Sequence, residues 1–441
     1  MMIRRDSYIE KLVSLMNNQR VKIVTGIRRC GKSFLLRELF SNYLMERGVD
    51  KKHIIYLALD DMTNNHLLNP LALDSFIRQQ IQDDGIYYIM IDEIQRVFSI
   101  VNPLFTDGKI KKAKKNDEET ISFVNVILGL MQIENVDLYI SGSNSKFLSK
   151  DIMTEFRDRG DEIFIQPLSF SEFVKAYDNV NTNELFNEYI LHGGMPLTLS
   201  YDSDDKKEDY LKNLFKLTYH KDVEERNKIR NVKELETLTK VMASNVGSLT
   251  NASTISKTFK SVEKSNITNE TVDLYLKYLE DAYILKKVDR IDIRGRKHIG
   301  ATYKYYFADP GLRNARLDFL HRDDGHVMEN IIYNELIKRG YSVQVGVVEV
   351  YSKNENDKTI RITLETDFVA TMGSKCYYIQ SAYKMDTLEK QNQERKSLVH
   401  INDSFKKIIV TRNSGPIRRD EYGIVYMGIE QFLLDEKSLD L

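Results

Sequence analysis

The run Gly-Ile-Arg-Arg-Cys-Gly-Lys-Ser at residues 26–33 constrains the fold of this chain more than any other feature. It follows a short apolar run at 21–25 and precedes a stretch with helical spacing at 32–44. A strand, a glycine-containing turn and a helix in this order predict one βα unit. The spacing G-x-x-x-x-G-K-S is typical of a loop whose backbone amides hold phosphate oxygens. A glycine-rich surface turn is the plainer alternative, and the flanking strand and helix disfavour it.

Each residue type in this loop has a physical reason. The glycines let the backbone curl, and the helix that starts near Lys32 adds the positive end of its dipole. We predict that Lys32 contacts the β- and γ-phosphates of ATP and that Ser33 gives its hydroxyl to Mg²⁺. The predicted nucleotide-binding residues are the loop and the residue after it: Gly26, Ile27, Arg28, Arg29, Cys30, Gly31, Lys32, Ser33 and Phe34.

A second element with the same chemistry follows further along the chain, where the apolar residues 86–91 run into Asp92 and Glu93. An apolar parallel strand delivers the residues at its end to the carboxyl edge of the sheet, where the phosphate loop lies. We predict that Asp92 holds Mg²⁺ through its water shell and that Glu93 is the general base for the attacking water. An exposed acidic turn is the alternative for these residues taken alone.

Apolar runs alternate with helical stretches in the first half of the chain, at residues 21–25, 53–59, 86–91 and 137–141. Strands of this kind are typical of a parallel sheet covered by helices on both faces, so the predicted fold class is α/β. The polar, lysine-rich residues 107–120 predict a solvated loop, with a contact to a phosphate backbone as the alternative.

Polar side chains follow the fourth strand. Residues 141–145 are small and polar, and they either orient the attacking water and contact the γ-phosphate or form a turn that caps the next helix. Arg157 and Arg159 come shortly after. A guanidinium that reaches the nucleotide of a neighbouring subunit stabilises the charge of the transition state. A solvated face is the alternative for both arginines.

Length and composition limit the number of domains and the kinds of partner that we expect. A chain of 441 residues exceeds one ordinary core, so two or three domains are expected, and the net charge of -1 gives no global reason to bind nucleic acid or membrane. Cys30 and Cys376 form neither a disulfide framework nor a metal-ligand cluster. We expect a cytoplasmic protein with domains at residues 1–205, 206–316 and 317–441.

The two later domains have different patterns. The middle domain has the order helix, turn, helix, hairpin, which is that of a winged helix, with 270–279 as its recognition helix and 293–297 as its wing. Because Glu270 and Asp273 lie on that helix, docking to a protein is the alternative to DNA binding. The last domain has a helix at 326–340 and four strand candidates, which predicts a separate α/β domain.

Together these segments resemble a large prokaryotic family of AAA-type ATPases; the residues that carry the resemblance are 26–33, 89–95, 140–149, 157–173 and 192–196. The resemblance covers nearly the whole chain. It implies an N-terminal AAA-like domain with a small helical subdomain, followed by a C-terminal domain of unknown function. It also implies a sensor role for Asn144, a finger role for Arg157 or Arg159, and assembly of several copies, with a ring as the expected form.

The family resemblance extends to the later domains, which it implies to be winged-helix-like and restriction-endonuclease-like. Its pattern places acids at Glu329, Glu365 and Asp367, with Gln380 where another acid would serve. Carboxylates that hold Mg²⁺ and a lysine that helps to generate hydroxide make a nuclease site. Ala382 stands at the position of that lysine, which favours a degenerate domain that is structural or holds DNA.

The predicted function is hydrolysis of ATP to ADP and phosphate, coupled to conformational change of the C-terminal domains, with ATP and Mg²⁺ as cofactors. A nucleotide-switched DNA-binding protein and a metal-dependent nuclease are the alternatives. The expected partners are ATP or ADP and further copies of the chain, with DNA or a protein as candidates and no membrane.

Overall fold

The computed structural model describes residues 3–114, 116–142, 156, 159–178, 180–262, 267–321, 323–353, 359–413 and 415–441. The chain forms two compact units, Met1–Gln166 and Pro167–Leu441. Within the described residues, no helix combines the length and the apolar character needed to cross a bilayer.

The N-terminal unit contains seven described strands: β1 (Val21–Gly26), β2 (Ile54–Ala58), β3 (Tyr87–Asp92), β4 (Ile100–Val101), β5 (Thr120–Ile121), β6 (Val136–Ser141) and β7 (Gly160–Ile165). Five of them form one sheet in the order β2-β3-β6-β1-β7, and every pairing in it is parallel. The four predicted strands and the parallel sheet are confirmed. β4 and β5 pair separately, in antiparallel fashion.

The helices of this unit are α1 (Asp6–Ser14), α2 (Lys32–Phe34), α3 (Ser41–Glu46), α4 (Pro70–Gln80) and α5 (Phe123–Leu130), with a π-helical segment, Leu35–Phe40, that joins α2 to α3. Short 3-10 turns lie at Lys51–His53, Met62–Leu68, Ile94–Arg96 and Pro103–Phe105. Local chemistry sets the start of α4, where the Asn69 side chain accepts a hydrogen bond of 3.0 Å from the Leu71 amide, ahead of Pro70.

Helices cover both faces of the parallel sheet. On β3, the side chains of Ile89 and Ile91 belong to a buried cluster that includes Ile77 of α4 and Ile127 of α5. Met90 lies between them in sequence and contacts the Ser41 hydroxyl of α3. Because neighbouring residues of a strand point to opposite faces, α4 and α5 lie on one face of the sheet and α3 on the other. This arrangement confirms the predicted α/β class.

The C-terminal unit is built on one mixed sheet of eight strands: β8 (Leu285–Asp292), β9 (Lys297–Phe307), β10 (Ser342–Lys353), β11 (Thr359–Met372), β12 (Lys375–Ala382), β13 (Lys406–Thr411), β14 (Arg418–Arg419) and β15 (Val425–Gly428). The order is β14-β15-β13-β12-β11-β10-β8-β9. The predicted hairpin is β8 and β9, and β8 pairs in parallel with β10. The sheet thus includes strands from both sides of residue 316, and the predicted domain boundaries remain predictions.

The helices of this unit are α6 (Phe170–Val174), α7 (Thr182–His192), α8 (Asp204–Leu214), α9 (Lys221–Asn227), α10 (Val232–Ser244), α11 (Ala252–Val262), α12 (Asn269–Asp281), α13 (Pro310–Arg316), α14 (Asp324–Lys338), α15 (Leu388–Val399) and α16 (Ile429–Leu434). A π-helical segment, Phe215–His220, joins α8 to α9, and Pro196–Ser200 forms a 3-10 turn. Three helices, α10 to α12, precede the β8–β9 hairpin, in the predicted order. The winged helix itself remains a prediction.

The turn at Gly193 and Gly194 packs against the start of α13 in the C-terminal unit, and this contact explains the His-Gly-Gly run at residue 192. Asp309 accepts a hydrogen bond of 2.6 Å from the Gly194 amide. A Cβ atom on Gly193, whose φ is +70°, would lie 2.2 Å from an Asp309 carboxylate oxygen, and one on Gly311 would lie 2.0 Å from the His192 carbonyl oxygen. The backbones approach this closely because neither position carries a side chain.

Candidate functional site: a phosphate-binding loop

The predicted phosphate loop leaves the carboxyl end of β1, which lies between β6 and β7. Its backbone takes left-handed conformations at Arg29, with φ of 61°, and at Gly31, with φ of 101°. At Gly26, a Cβ atom would lie 2.1 Å from the carbonyl oxygen of Ile165 on β7. Glycine is therefore required at the entrance of the loop for steric reasons, and the loop curls as a phosphate cradle does.

The lysine of the motif is held across this loop. The Lys32 ammonium group donates hydrogen bonds of 3.0 Å to the carbonyl oxygens of Gly26 and Ile27, and its side chain is buried. Ser33, the next residue, is exposed at the start of the helix. Cys30 is fully buried and its thiol contacts the Ile165 carbonyl oxygen, so this side chain packs beneath the loop.

A buried arginine near the N-terminus fastens the loop to the sheet. The Arg5 guanidinium donates to the Cys30 carbonyl oxygen at 3.0 Å and to the Gln166 carbonyl oxygen at 2.8 Å. It also lies over the Tyr8 ring, 4.4 Å from its centroid. Sequence reasoning missed this residue, because a basic side chain at a chain end gives no sign of a partner 161 residues away.

Asp92 ends β3 and is buried, with 2% of its surface exposed. The Tyr56 hydroxyl donates to its Oδ2 at 2.9 Å, and the Ser141 hydroxyl donates to its Oδ1. Two hydroxyl donors on one buried carboxylate set its direction. Burial and the Asp92 charge in turn raise the pKa of Tyr56 well above its usual value.

The loop and Asp92 lie at the same edge of the sheet. Only β6 separates β3 from β1, and the register pairs Ile91 with Ile140 and Val24 with Ser141. Two strand spacings amount to roughly 10 Å, a gap that a lysine side chain and a hydrated metal ion can bridge. The strand order therefore places Asp92 at the edge of the sheet from which the loop with Lys32 and Ser33 leaves, and their roles at a nucleotide stay predictions.

Glu93 follows directly and has an unusual backbone. Its φ of 55° and ψ of 43° are left-handed, a conformation that a non-glycine residue adopts at a cost of about 1–3 kcal/mol. Its carboxylate accepts a hydrogen bond from the Gln95 side-chain amide. Such strain is often found at functional sites, and here it turns the glutamate at the end of β3.

The predicted sensor and finger residues are placed differently. Asn144 and Arg157 lie outside the described residues. Arg159 is exposed, and its carbonyl oxygen accepts a hydrogen bond of 3.0 Å from the Val21 amide at the start of β1. The phosphate loop leaves the opposite end of that strand, roughly 16–20 Å away for six residues. The structure thus does not bring Arg159 to the phosphate loop of its own chain.

The second predicted group of residues lies in the C-terminal unit. Glu329 of α14 and Glu365 and Asp367 of β11 do come together, and they surround the ammonium group of Lys304 on β9. Gln380 lies beside them, and its side-chain oxygen accepts a hydrogen bond of 3.3 Å from the Asp367 amide. Sequence reasoning missed Lys304, because β9 precedes the predicted C-terminal domain.

Burial and the neighbouring charges shift the pKa values of Glu329 and Lys304 in this cluster. Burial and the nearby Asp367 carboxylate raise the pKa of Glu329 to about 7. Burial disfavours the charge on Lys304, but the carboxylates around it outweigh that effect and hold the pKa of Lys304 well above its usual value. Among the described residues, the structure contains no group of three or more His, Cys, Asp or Glu side chains arranged to hold a metal ion.

Comparison with known proteins adds family information. Residues 18–174 match a family described as an AAA domain, and residues 183–323 match a domain of unknown function, DUF8612. An uncharacterised protein from Haemophilus influenzae is 31% identical over 419 residues, which cover 93% of each chain. The chain belongs to this family of AAA-type P-loop ATPases with a C-terminal domain of unknown function. The expected family is thus confirmed, and the loop at residues 26–33 lies within the part of the chain that matches the AAA domain.

A more distant relative of this AAA-type family member is an uncharacterised protein from Methanocaldococcus jannaschii. It is 24% identical over 439 residues, which cover 95% of this chain and 85% of that protein. Solved structures are less similar. The Aeropyrum pernix ORC1 protein in complex with DNA has a TM-score of 0.28 at 13% identity, covering 72% of this chain and 92% of that one. C. elegans PCH-2 has a TM-score of 0.25 at 15% identity, covering 62% and 65%. These two likenesses carry no argument about function.

Proposed function

We propose that this AAA-type chain binds Mg-ATP at residues 26–33 and hydrolyses it to ADP and phosphate. The observation that carries the proposal is the convergence of Lys32, Ser33 and Asp92 at one edge of the parallel sheet, with only β6 between the two strands that deliver them. An ammonium group binds the phosphates of a nucleoside triphosphate, and a hydroxyl and a carboxylate bind its metal ion.

Binding uses groups that are already in place. The Lys32 ammonium now contacts two carbonyl oxygens of the loop at 3.0 Å, and β- and γ-phosphate oxygens would replace them as stronger, charged acceptors. Ser33 and Asp92 would hold Mg²⁺, which neutralises charge on the phosphates when it is bound. The residues fit this ion, because the Ser33 side chain is exposed and the Asp92 carboxylate is already directed by two hydroxyls.

Glu93 is the general base of this proposal. It follows Asp92 directly at the carboxyl end of β3, and its left-handed backbone turns it there, where the γ-phosphate would lie. In the present state the Gln95 amide donates to its carboxylate. An ionised carboxylate at this position accepts the proton of the attacking water as the water bonds to phosphorus.

The coupling of hydrolysis to assembly is part of the same proposal. Arg159 is exposed and distant from its own phosphate loop, which suits a guanidinium that acts on the nucleotide of a neighbouring copy. Arg157 is the second finger candidate, and Asn144 is the sensor candidate. A ring of copies, in which each site receives an arginine from its neighbour, would link ATP turnover to motion of the C-terminal domains.

Phosphate release in steady state tests the hydrolytic proposal. We expect Lys32→Ala to lose nucleotide binding and turnover, and Glu93→Gln to keep binding while turnover falls by roughly 10²-fold or more. Lys51→Ala, which removes an exposed lysine from the same unit, is the matched control and should behave as the wild type. Equal rates in the wild type, Lys32→Ala and Glu93→Gln would refute the proposal.

A further inference from the structure

A buried lysine occupies the centre of the carboxylate cluster in the C-terminal unit. The Lys304 ammonium group lies 2.8 Å from Oε1 of Glu329, 2.9 Å from Oε1 of Glu365 and 3.2 Å from Oδ1 of Asp367. The Lys304 side chain is only 4% exposed. One cation therefore makes a short contact with a carboxylate from each of three residues, and with Lys304 in place these acids form no group arranged to hold a metal ion.

The scaffold around the cluster fixes these carboxylates independently. Glu365 and Asp367 are two residues apart on β11 and therefore point to the same face of the sheet. Asp367 also accepts a hydrogen bond of 2.9 Å from the Ser381 amide, and Glu329 accepts one of 2.5 Å from the Tyr306 hydroxyl. The carboxylates are thus directed by other groups as well as by the ammonium.

The charge balance shows why a cation is needed here. Glu329 and Asp367 are each only 7% exposed, and three carboxyl groups share the single positive charge of Lys304. Buried carboxylates without a compensating charge are strongly unfavourable. Each of the three carboxylates contacts the ammonium, which supplies a compensating charge at the centre of the cluster.

We propose that Lys304 is a built-in cation that occupies the position of a divalent metal ion in the Glu329–Glu365–Asp367 cluster. In the native chain this cluster binds no divalent ion, and removal of the ammonium group converts it into a divalent-cation site. The proposal is independent of ATP hydrolysis, which uses residues of the N-terminal unit.

The position of the ammonium distinguishes this arrangement from that of a nuclease. In a metal-dependent nuclease site, acids hold the ion and a lysine stands beside it to assist hydroxide formation. Here the ammonium contacts all three acids, at the point where their oxygens converge. Its contacts of 2.8–3.2 Å are longer than those of Mg²⁺, about 2.1 Å, and of Ca²⁺, about 2.3–2.6 Å. Ca²⁺ requires the smaller contraction, so we expect the vacated cluster to prefer it.

The test uses the full-length chain without nucleotide and compares Lys304→Met with the wild type and with Lys304→Arg, which keeps the positive charge. Thermal unfolding is followed in EDTA and then in excess Ca²⁺ or Mn²⁺, and Mn²⁺ binding is measured by the loss of the free-ion EPR signal. We expect Lys304→Met to unfold at a lower temperature in EDTA and to recover by roughly 5 °C or more in either ion, with one additional Mn²⁺ bound per chain. Neither the wild type nor Lys304→Arg should show the recovery.

A second variant keeps the proposal testable if the Lys304→Met chain does not fold. Lys304→Met combined with Glu365→Gln removes one charge from the most exposed acid, which is 30% exposed, and leaves Glu329 and Asp367 as ligands. This variant should also gain one Mn²⁺. The proposal is overturned if neither variant gains an ion, or if the wild type itself binds Mn²⁺ at a site that Asp367→Asn abolishes.

Discussion

The Tyr56 hydroxyl on β2 donates a hydrogen bond of 2.9 Å to Oδ2 of Asp92 on the neighbouring strand β3. The other carboxylate oxygen of Asp92 accepts from the Ser141 hydroxyl on β6, the strand on the opposite side. The carboxylate is thus held from both neighbouring strands before any metal ion arrives. Tyr56 is a positioning residue, because it acts on the metal site through Asp92.

Tyr56→Phe removes this hydrogen bond and little else. A hydrogen bond to a charged group contributes about 1.5–3 kcal/mol, so we expect the Mg²⁺ concentration for half-maximal ATP turnover to rise roughly 10-fold or more. The maximal rate at saturating Mg²⁺ should change much less, since Lys32 and Glu93 are untouched. Tyr43→Phe, the same change at a half-buried tyrosine on α3, serves as the control. An unchanged Mg²⁺ dependence in Tyr56→Phe would show that Asp92 needs no such support.

A buried ion pair in β1 and β6 predicts a large effect on stability. The Lys22 ammonium contacts the Asp137 carboxylate, both side chains are at most 2% exposed, and Asp137 also accepts a hydrogen bond of 2.7 Å from the Tyr139 hydroxyl. Burial lowers the pKa of Lys22, although Asp137 opposes that shift. Removing one partner of such a pair leaves an uncompensated buried charge.

We expect Lys22→Met to lower the free energy of unfolding of the N-terminal unit by about 3–5 kcal/mol. The measurement is urea unfolding followed by circular dichroism, because the chain contains no tryptophan. Arg78→Ala, which breaks the exposed ion pair with Asp74, should lower stability by less than about 1 kcal/mol. Similar effects of both substitutions would contradict this interpretation of the Lys22–Asp137 pair.

The close approach of the start of α13 to the turn at Gly193 predicts a steric effect of substituting Gly311. In Gly311→Ala the new Cβ atom would lie 2.0 Å from the His192 carbonyl oxygen, a backbone atom that cannot move away cheaply. We expect a loss of roughly 3 kcal/mol or more in the free energy of unfolding. At Gly300, which is exposed on β9, a Cβ atom meets nothing within 4 Å, so Gly300→Ala should be close to neutral. Equal melting temperatures for the two variants would argue against the close approach.

The raised pKa of the buried Asp309 carboxyl leads us to expect that the free energy of unfolding depends on pH. Burial raises the pKa of Asp309 to about 6, although the amides of Gly194, Leu312 and Gly311 favour its ionised form. An acid whose folded pKa lies above its unfolded value of 3.8 binds its proton more tightly in the folded state. Its contribution to stability is therefore complete below pH 3.8 and is lost as the pH rises through about 6.

The expected size of this loss is about 3 kcal/mol, since the folded and unfolded pKa values differ by about two units. Unfolding free energies of the wild type and Asp309→Asn, measured from pH 4 to pH 7, isolate the effect. The advantage of the wild type over the variant should shrink as the pH rises across this interval. A difference that stays constant with pH would mean that Asp309 does not titrate there.

The site in the N-terminal unit was predictable because its signals are local. The loop at residues 26–33 and the acid pair after residue 91 each follow an apolar strand, and parallel strands end at a common edge. The contacts of Arg5 with the loop and of Tyr56 with Asp92 were not predictable, because each joins residues that are far apart in sequence. β7 was also missed, since Asp161 and Glu162 interrupt its apolar pattern.

In the C-terminal unit, the carboxylates of the cluster were predicted, but the lysine that they surround was not. The strands β8 to β13 were predictable from the sequence, whereas β14 and β15 were not predicted. The carboxylates at residues 329, 365 and 367 were found through the resemblance to a family. Lys304, whose ammonium group lies between these carboxylates, was not found, because its strand β9 falls within the preceding predicted domain, residues 206–316. Sheet order brings β9 and β11 into one sheet, and sequence spacing carries no record of that order.

The position of β1 between β6 and β7 has a consequence for synthesis on the ribosome. β1 leaves the exit tunnel before both of its neighbours, β6 and β7, which lie more than a hundred residues later in the chain. At about 5–20 residues per second, the nascent strand waits on the order of ten seconds for a partner. During that interval its apolar side chains are open to chaperones, and the loop after it lacks the Ile165 carbonyl oxygen that later lies against Gly26 and Cys30.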